Sequence, residues 1–271
     1  MDGWKESNPS PADEELDEEE LIELVLEAQR EALSDAAKEK PNQKSKPRFP
    51  KWIFWLISIF MIFNTFSFSL QIYPIPAIEF LKTSAKLSAD KDIQLYKKSV
   101  VTITTGDSKG TGFSVSNDGT LLTNYHVIEG HTRVTVAFPD AGRFTAKVVR
   151  TFPSIDLAVL KINGTNLPYL DLAKHVPFVK DEPIHFIGNP LNFHGIANEG
   201  TIIDTIKLSD WEEEVVMMKA PVYRGNSGSP VFNEDGMVIG VVFATLDHEV
   251  YGNVGLLIPI HLYYEALKNP I

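Results

Sequence analysis

The chain from Ser99 onward consists of short apolar runs separated by turn residues, and this pattern limits the folds that it can adopt. Runs of about four to eight β-branched and aromatic residues, bounded by Gly, Asn, Asp and Pro, indicate strands. The sequences Asn117-Asp118-Gly119 and Asn233-Glu234-Asp235-Gly236 are typical of hairpin turns, where glycine tolerates a positive φ. Two groups of six such runs predict an all-β region of two six-stranded antiparallel β-barrels packed side by side.

The predicted strands of the first group are Val100–Thr105, Gly112–Ser116, Thr120–Thr123, Arg133–Phe138, Phe144–Arg150 and Leu157–Ile162. Those of the second group are Pro183–Ile187, Ala197–Thr205, Glu214–Met218, Val231–Phe232, Met237–Ala244 and Asn253–Ile258.

An uncharged segment precedes this region. Residues Trp52 to Ile78 include no Asp, Glu, Lys or Arg, and such a stretch is long enough for a helix to cross the ~30 Å apolar core of a bilayer. We expect a single transmembrane helix at 52–73, because prolines at 74 and 76 discourage further helix. A buried core helix is the alternative, but the segment lacks a polar face. Residues 74–92 are expected to form an outer stalk, and 93–271 the folded domain.

The orientation of this helix follows from basic residues on its N-terminal side. These residues are Lys38, Lys40, Lys44, Lys46, Arg48 and Lys51. Fewer basic residues follow the helix, so the positive-inside rule places residues 1–51 in the cytoplasm and the folded domain outside the cell membrane. A cleaved signal peptide is the competing interpretation, but a long acidic segment before the helix fits an uncleaved anchor better.

The cytoplasmic tail is acidic, with 14 acidic and 7 basic side chains in the first 50 residues. Asp13 to Glu39 has apolar residues spaced at three or four, which predicts a narrow amphipathic helix that could bind a cytoplasmic partner. A solvated, disordered arm is an equally good interpretation. Residues 41–50 form a basic linker that would face anionic lipid headgroups.

Three polar residues in the predicted barrels suggest catalysis by a serine nucleophile. His126 lies in Thr123-Asn124-Tyr125-His126-Val127, Asp156 begins an apolar strand, and Ser227 lies in Gly-Asn-Ser-Gly-Ser-Pro at 225–230. A serine hydroxyl needs a base to remove its proton, and the base needs a carboxylate that fixes its tautomer. The order His, Asp, Ser therefore predicts a serine protease with Ser227 as nucleophile, His126 as base and Asp156 as orienting carboxylate.

The glycines around Ser227 suggest an oxyanion hole at Gly225, Asn226 and Ser227. We expect the tight turn to direct the amides of Gly225 and Ser227 at one spot, where they would stabilise a tetrahedral intermediate. Because the histidine and aspartate come from the first barrel and the serine from the second, the site is expected between the barrels.

Several motifs together resemble one protease family. They are residues 110–119, 123–127, 156–162, 187–190 and 225–228, which read GTGFSVSNDG, TNYHV, DLAVLKI, IGNP and GNSG. They are similar to the HtrA/DegP-like serine proteases of the trypsin fold, and the similarity covers about Val100 to Leu267. It implies a chymotrypsin/trypsin-like double barrel, hydrolysis of peptide bonds in protein or peptide substrates, extracytoplasmic protein quality control or stress response, and no metal or organic cofactor.

The chain departs from this family at three points. First, we expect no PDZ domain after the helix predicted near 259–268. Second, Ser229 replaces the family's usual second glycine after the nucleophile. Third, soluble members of the family do not share the tail and the anchor, so the oligomeric state stays open. Asn226 is uncharged and cannot form the ion pair that activates digestive zymogens. Control is therefore expected from loops at 207–214 and 246–253.

The residues of the expected specificity pocket are apolar. Pro221 would lie at its floor and Val241, Val242 and Phe243 along its wall. Because none of these side chains is acidic, a small or medium apolar P1 residue is expected rather than a basic one.

Composition excludes several other classes of protein. The net charge of −11 argues against a nucleic-acid binder, and the absence of cysteine excludes disulfides and cysteine metal sites. His185 and His194 flank Gly188-Asn189-Pro190, but no carboxylate cluster accompanies them, so no metal site is predicted. Two functions remain: a membrane-anchored endopeptidase, and a non-catalytic or latent peptide-binding protein on the same fold.

Overall fold

The computed structural model describes residues 18–38, 50–72, 75–106, 108–174, 177–191, 193–209 and 211–268. The chain divides into two compact units, Met1–Phe68 and Ser69–Ile271.

The first unit consists of helical segments in its described part. Helix α1 spans Glu18–Lys38 and α2 spans Lys51–Ile72. The described side chains of α1 are exposed to solvent. The ends of the predicted tail helix, 13–17 and 39, and the linker at 41–49 lie outside the described residues. Within the described residues, no helix combines the length and the apolar character that a membrane crossing requires.

The second unit contains two closed antiparallel barrels, which confirms the two six-stranded barrels predicted from the sequence. The first has the order β1-β2-β3-β6-β5-β4, with strands β1 (Val100–Thr104), β2 (Lys109–Ser114), β3 (Thr120–Asn124), β4 (Arg133–Phe138), β5 (Gly142–Phe152) and β6 (Leu157–Lys161). The second has the order β10-β11-β12-β9-β8-β7, with strands β7 (Pro183–Gly188), β8 (Ile196–Lys207), β9 (Glu214–Lys219), β10 (Pro230–Phe232), β11 (Val238–His248) and β12 (Gly252–Pro259).

Each barrel closes around an apolar interior that the strand alternation supplies. In β4, Val134, Val136 and Phe138 are buried while Arg133 and Thr135 face solvent. The interior of the second barrel is continuous with apolar residues of the first, since Phe113 of β2 packs in the same cluster as the core of β7 to β12. The two barrels therefore share an apolar contact surface.

The turn between β2 and β3 is stabilised by polar contacts of Asp118. Its carboxylate lies 2.7 Å from Lys161 Nζ and accepts hydrogen bonds from Ser116 and Thr120. The hydrogen bonds from Lys161 and then Ser116 hold the pKa of Asp118 below its ordinary value. The Asp118 carboxylate thus accepts the hydrogen bonds that stabilise the hairpin turn predicted at 117–119.

Short helices flank the barrels. They are α3 (Ile75–Leu87), α4 (Lys91–Lys97), α5 (Tyr125–Ile128) and α6 (Ile260–Lys268). Helix α3 lies within the expected stalk and packs on β8: Ser84 Oγ accepts a hydrogen bond from the amide of Ala197 at 3.2 Å, and Phe80 meets the ring of Tyr223 edge-on at 4.8 Å.

The strands β11 and β12 are longer than predicted. Their pairing continues to Asp247 opposite Asn253 and His248 opposite Gly252. The segment 246–253 was expected to be a control loop, but it is mostly hairpin, because Leu246 to His248 pair with Val254 to Gly252 through the backbone.

The shared core gives a stability prediction. Phe113→Ala removes a ring with 0% exposure, and we expect a loss of about 3–5 kcal/mol in the free energy of unfolding, because the transfer free energy is lost and a cavity remains. Urea unfolding of the full chain, monitored by circular dichroism, measures this change in the free energy of unfolding. The matched control is Phe193→Ala, whose ring is 44% exposed. Equal losses for the two variants would contradict the assigned core.

Candidate active site

The structure places the three predicted catalytic residues on loops at the ends of strands. His126 lies in α5, directly after β3. Asp156 follows a short 3-10 turn, Pro153–Ile155, that joins β5 to β6, and Ser227 lies between β9 and β10. The first barrel therefore contributes the histidine and the aspartate, and the second contributes the serine.

His126 and Asp156 form a paired contact. Asp156 Oδ2 lies 2.7 Å from His126 Nδ1, and Asp156 Oδ1 accepts the backbone amide of His126 at 2.9 Å. An ionised carboxylate only accepts hydrogen bonds, so the Nδ1 atom carries the proton and Nε2 of a neutral ring has a free lone pair. The Asp156 side chain is 12% exposed and that of His126 is 45% exposed, so the carboxylate is largely shielded from solvent while the imidazole is partly accessible.

The backbone holds Asp156 in this position. Its φ of 47° is left-handed, which is uncommon for a non-glycine residue, and its carbonyl accepts hydrogen bonds from the Tyr125 amide and Asn124 Nδ2, both at 3.0 Å. Asn124 pairs with Leu157 at the end of the β3–β6 ladder. Strand pairing thus brings the histidine and aspartate loops together although they are 30 residues apart.

Ser227 lies where the loops of the two barrels meet. A Cβ added to Gly110 would lie 2.7 Å from Val127 Cγ1 and 3.4 Å from the Ser227 carbonyl oxygen, so β2, the residue after His126 and the serine loop are in close contact. Ser227 Oγ donates to the carbonyl of Phe243 at 3.4 Å. Among the described residues, no hydrogen bond joins Ser227 Oγ to the His126 ring.

The backbone amides around Ser227 differ in their partners. The amide of Asn226 donates to the Tyr223 carbonyl at 3.0 Å, and that of Gly228 donates to the Val242 carbonyl at 2.8 Å. Of the three residues predicted for the oxyanion hole, Asn226 therefore has its amide engaged inside the protein. The amides of Gly225 and Ser227 have no acceptor among the described residues, and Gly225 has a positive φ of 99°.

The residues predicted for the specificity pocket divide into two groups. Val241 and Val242 are fully buried in the core of the second barrel. Phe243 and Pro221 are half-buried, and Phe243 lies against the indole of Trp211, with ring centroids 4.8 Å apart. Of the predicted pocket residues, Phe243 is the one that contacts Ser227, because its backbone carbonyl accepts the Ser227 hydroxyl.

Two residues of the site had no assigned role from the sequence. Thr111 and Asn189 are buried and contact the serine loop or its neighbours through hydrogen bonds. Both lie in motifs that resemble the HtrA/DegP-like family, and this was the only signal that could have indicated them. A third residue, Trp211, lies in the segment 207–214, which the sequence analysis proposed only as a control loop.

The other acidic and imidazole side chains do not join this site. Asp140 lies in the turn between β4 and β5, and the Asp171 carbonyl accepts from the Val238 amide. His194 Nδ1 lies 3.0 Å from Thr102 Oγ1, and His185 is paired with Glu199 across the β7–β8 ladder. Across the described parts of the chain, no group of three or more His, Asp or Glu side chains is arranged to hold a metal ion.

The sequence is similar to known serine proteases. Residues 110–241 match the trypsin-like peptidase domain family. The chain is 35% identical over 156 residues to a probable periplasmic serine endoprotease DegP-like of Chlamydia muridarum, covering 56% of this chain and 31% of that protein. It is 37% identical over 137 residues to a protein of the same name from Pseudomonas fluorescens, covering 49% and 29%. The chain thus spans about a third of the length of these curated relatives.

Solved structures show the same relationship. The inactive form of the Rv3671c protease has a TM-score of 0.59 and 29% identity, over 68% of this chain and 95% of that one. The HtrA-type protease AlgW, solved with a tripeptide, has a TM-score of 0.59 and 29% identity, over 65% of this chain and 61% of that one. Residues 110–241 therefore match a trypsin-like peptidase domain, and the chain is similar to DegP- and HtrA-type serine endoproteases.

Proposed function

We propose that the chain is a membrane-anchored serine endopeptidase that hydrolyses peptide bonds of misfolded or regulatory proteins outside the cytoplasmic membrane. The observation that carries the proposal is the 2.7 Å contact between His126 Nδ1 and Asp156 Oδ2, which leaves His126 Nε2 as an available base beside the loop that carries Ser227. The relatives named periplasmic support the compartment.

The proposed reaction proceeds through an acyl-enzyme. Ser227 Oγ attacks the scissile carbonyl carbon while His126 Nε2 takes its proton, and the Asp156 carboxylate stabilises the resulting imidazolium. Collapse of the tetrahedral intermediate breaks the C–N bond as His126 returns the proton to the leaving amine. A water then attacks the ester by the same steps and releases Ser227.

Gly225 and Ser227 are the proposed donors to the intermediate's oxyanion. Their amides are available, whereas the Asn226 amide already donates to Tyr223. Each preorganised donor of this kind contributes about 3–4 kcal/mol to the lowering of the barrier. The proposed oxyanion hole therefore has two donor residues, whereas the sequence analysis expected three.

A small or medium apolar P1 residue fits the proposed pocket. Its candidate lining is apolar, with Phe243 and Trp211 in contact on one side. Val241, Val242 and Pro221 provide no carboxylate that would pair with a basic side chain. A lysine or arginine at P1 would therefore lose its hydration without gaining an ion pair.

The anchor and topology are proposed from the sequence. The 27 residues from Trp52 to Ile78 include no Asp, Glu, Lys or Arg, and α2 exposes large apolar groups such as Phe54 at 73% and Trp55 at 69%. Such groups are unfavourable in water and favourable in lipid. Residues 52–73 would cross the bilayer, 1–51 would lie in the cytoplasm with a tail free to bind a partner there, and 93–271 would form the protease domain outside.

One observation favours a second candidate function, a latent or non-catalytic peptide-binding protein. Ser227 Oγ is directed to the Phe243 carbonyl rather than to His126. In this arrangement the hydroxyl does not donate to the imidazole that would take its proton. Reactivity of Ser227 separates the two candidates.

The catalytic roles predict a graded loss of reactivity. We expect the full chain in detergent to react at Ser227 with a fluorophosphonate probe and to degrade casein, and Ser227→Ala to do neither. Asp156→Asn should slow both reactions by roughly 10⁴-fold, because the amide favours the wrong histidine tautomer. The matched control, Asp140→Asn, should react like the wild type, since Asp140 lies in a distant turn.

The same experiment can contradict the proposal in two ways. An unlabelled wild-type Ser227 would favour the latent protein, and full activity of Asp156→Asn would remove Asp156 from its role. Sequencing of the casein fragments tests the pocket: cuts after small or medium apolar residues are expected, and cuts mainly after Lys or Arg would contradict the assigned lining.

The topology is testable because the chain has no cysteine, so a thiol reagent labels only a cysteine that is introduced by substitution. Ser34→Cys places a thiol in α1 and Thr165→Cys places one in the protease domain, both at exposed positions. In intact spheroplasts, a membrane-impermeant maleimide should label Thr165→Cys but label Ser34→Cys only after lysis. The reverse pattern, or extraction of the chain from membranes by alkaline carbonate, would contradict the anchor.

A further inference from the structure

Thr111 of β2 is completely buried at the junction of the two barrels. Its amide donates to the Ser227 carbonyl at 2.9 Å, and its own carbonyl accepts from Thr123 Oγ1 at 2.7 Å. A Cβ on Gly228 would lie 1.9 Å from that carbonyl oxygen, so the serine loop lies directly on the strand. The main chain of Thr111 therefore fixes the distance between β2 and the serine loop.

The hydroxyl of Thr111 makes two further hydrogen bonds. It donates to the Gly225 carbonyl at 2.7 Å and accepts from the Asn189 amide at 2.9 Å. These partners are 114 and 78 residues away along the chain. A hydroxyl donates one hydrogen bond, so the donor of Thr111 is used entirely on Gly225. Three segments that are distant in sequence thus meet at one side-chain atom.

Gly225 needs such support because its backbone is confined. Its φ of 99° is left-handed, and a Cβ there would lie 2.8 Å from the Asn189 carbonyl oxygen. The peptide before it is held by the Leu191 amide, which donates to the Arg224 carbonyl at 2.9 Å, and Leu191 itself has a φ of 54°. The peptide after it is held by the Thr111 hydroxyl. Both peptide planes around Gly225 therefore have fixed orientations.

We propose that the Thr111 hydroxyl is a positioning group that holds the Gly225 amide in the orientation of an oxyanion-hole donor. The inference rests on the proposed function, in which Gly225 and Ser227 stabilise the oxyanion. Thr111 does not touch the substrate. It fixes the Gly225 carbonyl on one side of Gly225, and through the Asn189 amide it anchors the segment whose Leu191 amide holds the Arg224–Gly225 peptide, which carries the Gly225 N–H. Its burial excludes water that could replace the lost hydrogen bond, so the effect of removing the hydroxyl is not masked by solvent.

Thr111→Val tests the proposal, because valine keeps the shape and the backbone donor to Ser227 but removes the hydroxyl. Displacement of one donor by about an ångström can lower a rate roughly 100-fold, so we expect kcat for casein to fall about 10- to 100-fold with KM nearly unchanged. Thr111→Ser, which keeps the hydroxyl, should restore kcat. Fluorophosphonate labelling of Ser227 in the full chain should slow and recover in parallel.

Thr102→Val is the matched control. Thr102 pairs with Thr111 across β1 and β2, is 8% exposed, and bonds His194 rather than the serine loop. It should lose stability but keep kcat. A wild-type kcat for Thr111→Val, an equal loss for Thr111→Ser, or an equal loss for Thr102→Val would overturn the positioning role.

A second readout separates this inference from the proposed function. If the wild type itself does not react with the probe, the proposed function fails, and crystal structures of the wild type and Thr111→Val decide the positioning role alone. A rotated peptide between Arg224 and Gly225 in the variant, which displaces the Gly225 N–H, supports it. An unchanged peptide, with the Gly225 carbonyl still in place, contradicts it.

Discussion

The arrangement of this protein depends on the hydrogen bonds that join the serine loop of the second barrel to strand β2 of the first. The amide and hydroxyl of Thr111 bind the carbonyls of Ser227 and Gly225 at 2.9 and 2.7 Å. Each barrel alone closes its own ladder, but neither contains both the proposed base, His126, and the proposed nucleophile, Ser227. The junction between the barrels brings these residues into one site. Because the junction is buried, its hydrogen bonds are stronger than the same bonds would be in water.

The His126–Asp156 pair shows how the strand register prepares such a site. The β3–β6 ladder ends with Asn124 opposite Leu157, so the next residues of the two strands leave the barrel side by side. Asp156 then accepts both the amide and the ring of His126. This double contact fixes the ring orientation without any help from the second barrel. The serine comes from the other barrel, and its hydroxyl donates to the Phe243 carbonyl.

Much of this was accessible from the sequence, because strand runs and turn glycines are local signals. All twelve predicted strands are present, and the three candidate catalytic residues lie on loops at barrel ends. Features that depend on contacts between distant segments were not predictable. The role of Thr111 requires partners 78 and 114 residues away, and the engagement of the Asn226 amide by Tyr223 depends on loop geometry. The extension of β11 to His248 was missed because it ends in the polar residues Asp247 and His248, whose pairing with β12 is made by the backbone.

The most direct test of the account is a crystal structure of the full chain after reaction with a fluorophosphonate. The account predicts a covalent bond from Ser227 Oγ to phosphorus, with the phosphonyl oxygen about 2.7–3.1 Å from the amides of both Gly225 and Ser227. His126 Nε2 should lie within hydrogen-bond distance of the adduct while its Nδ1 stays on Asp156. An adduct on another residue, or a phosphonyl oxygen that contacts neither amide, would contradict the central claim.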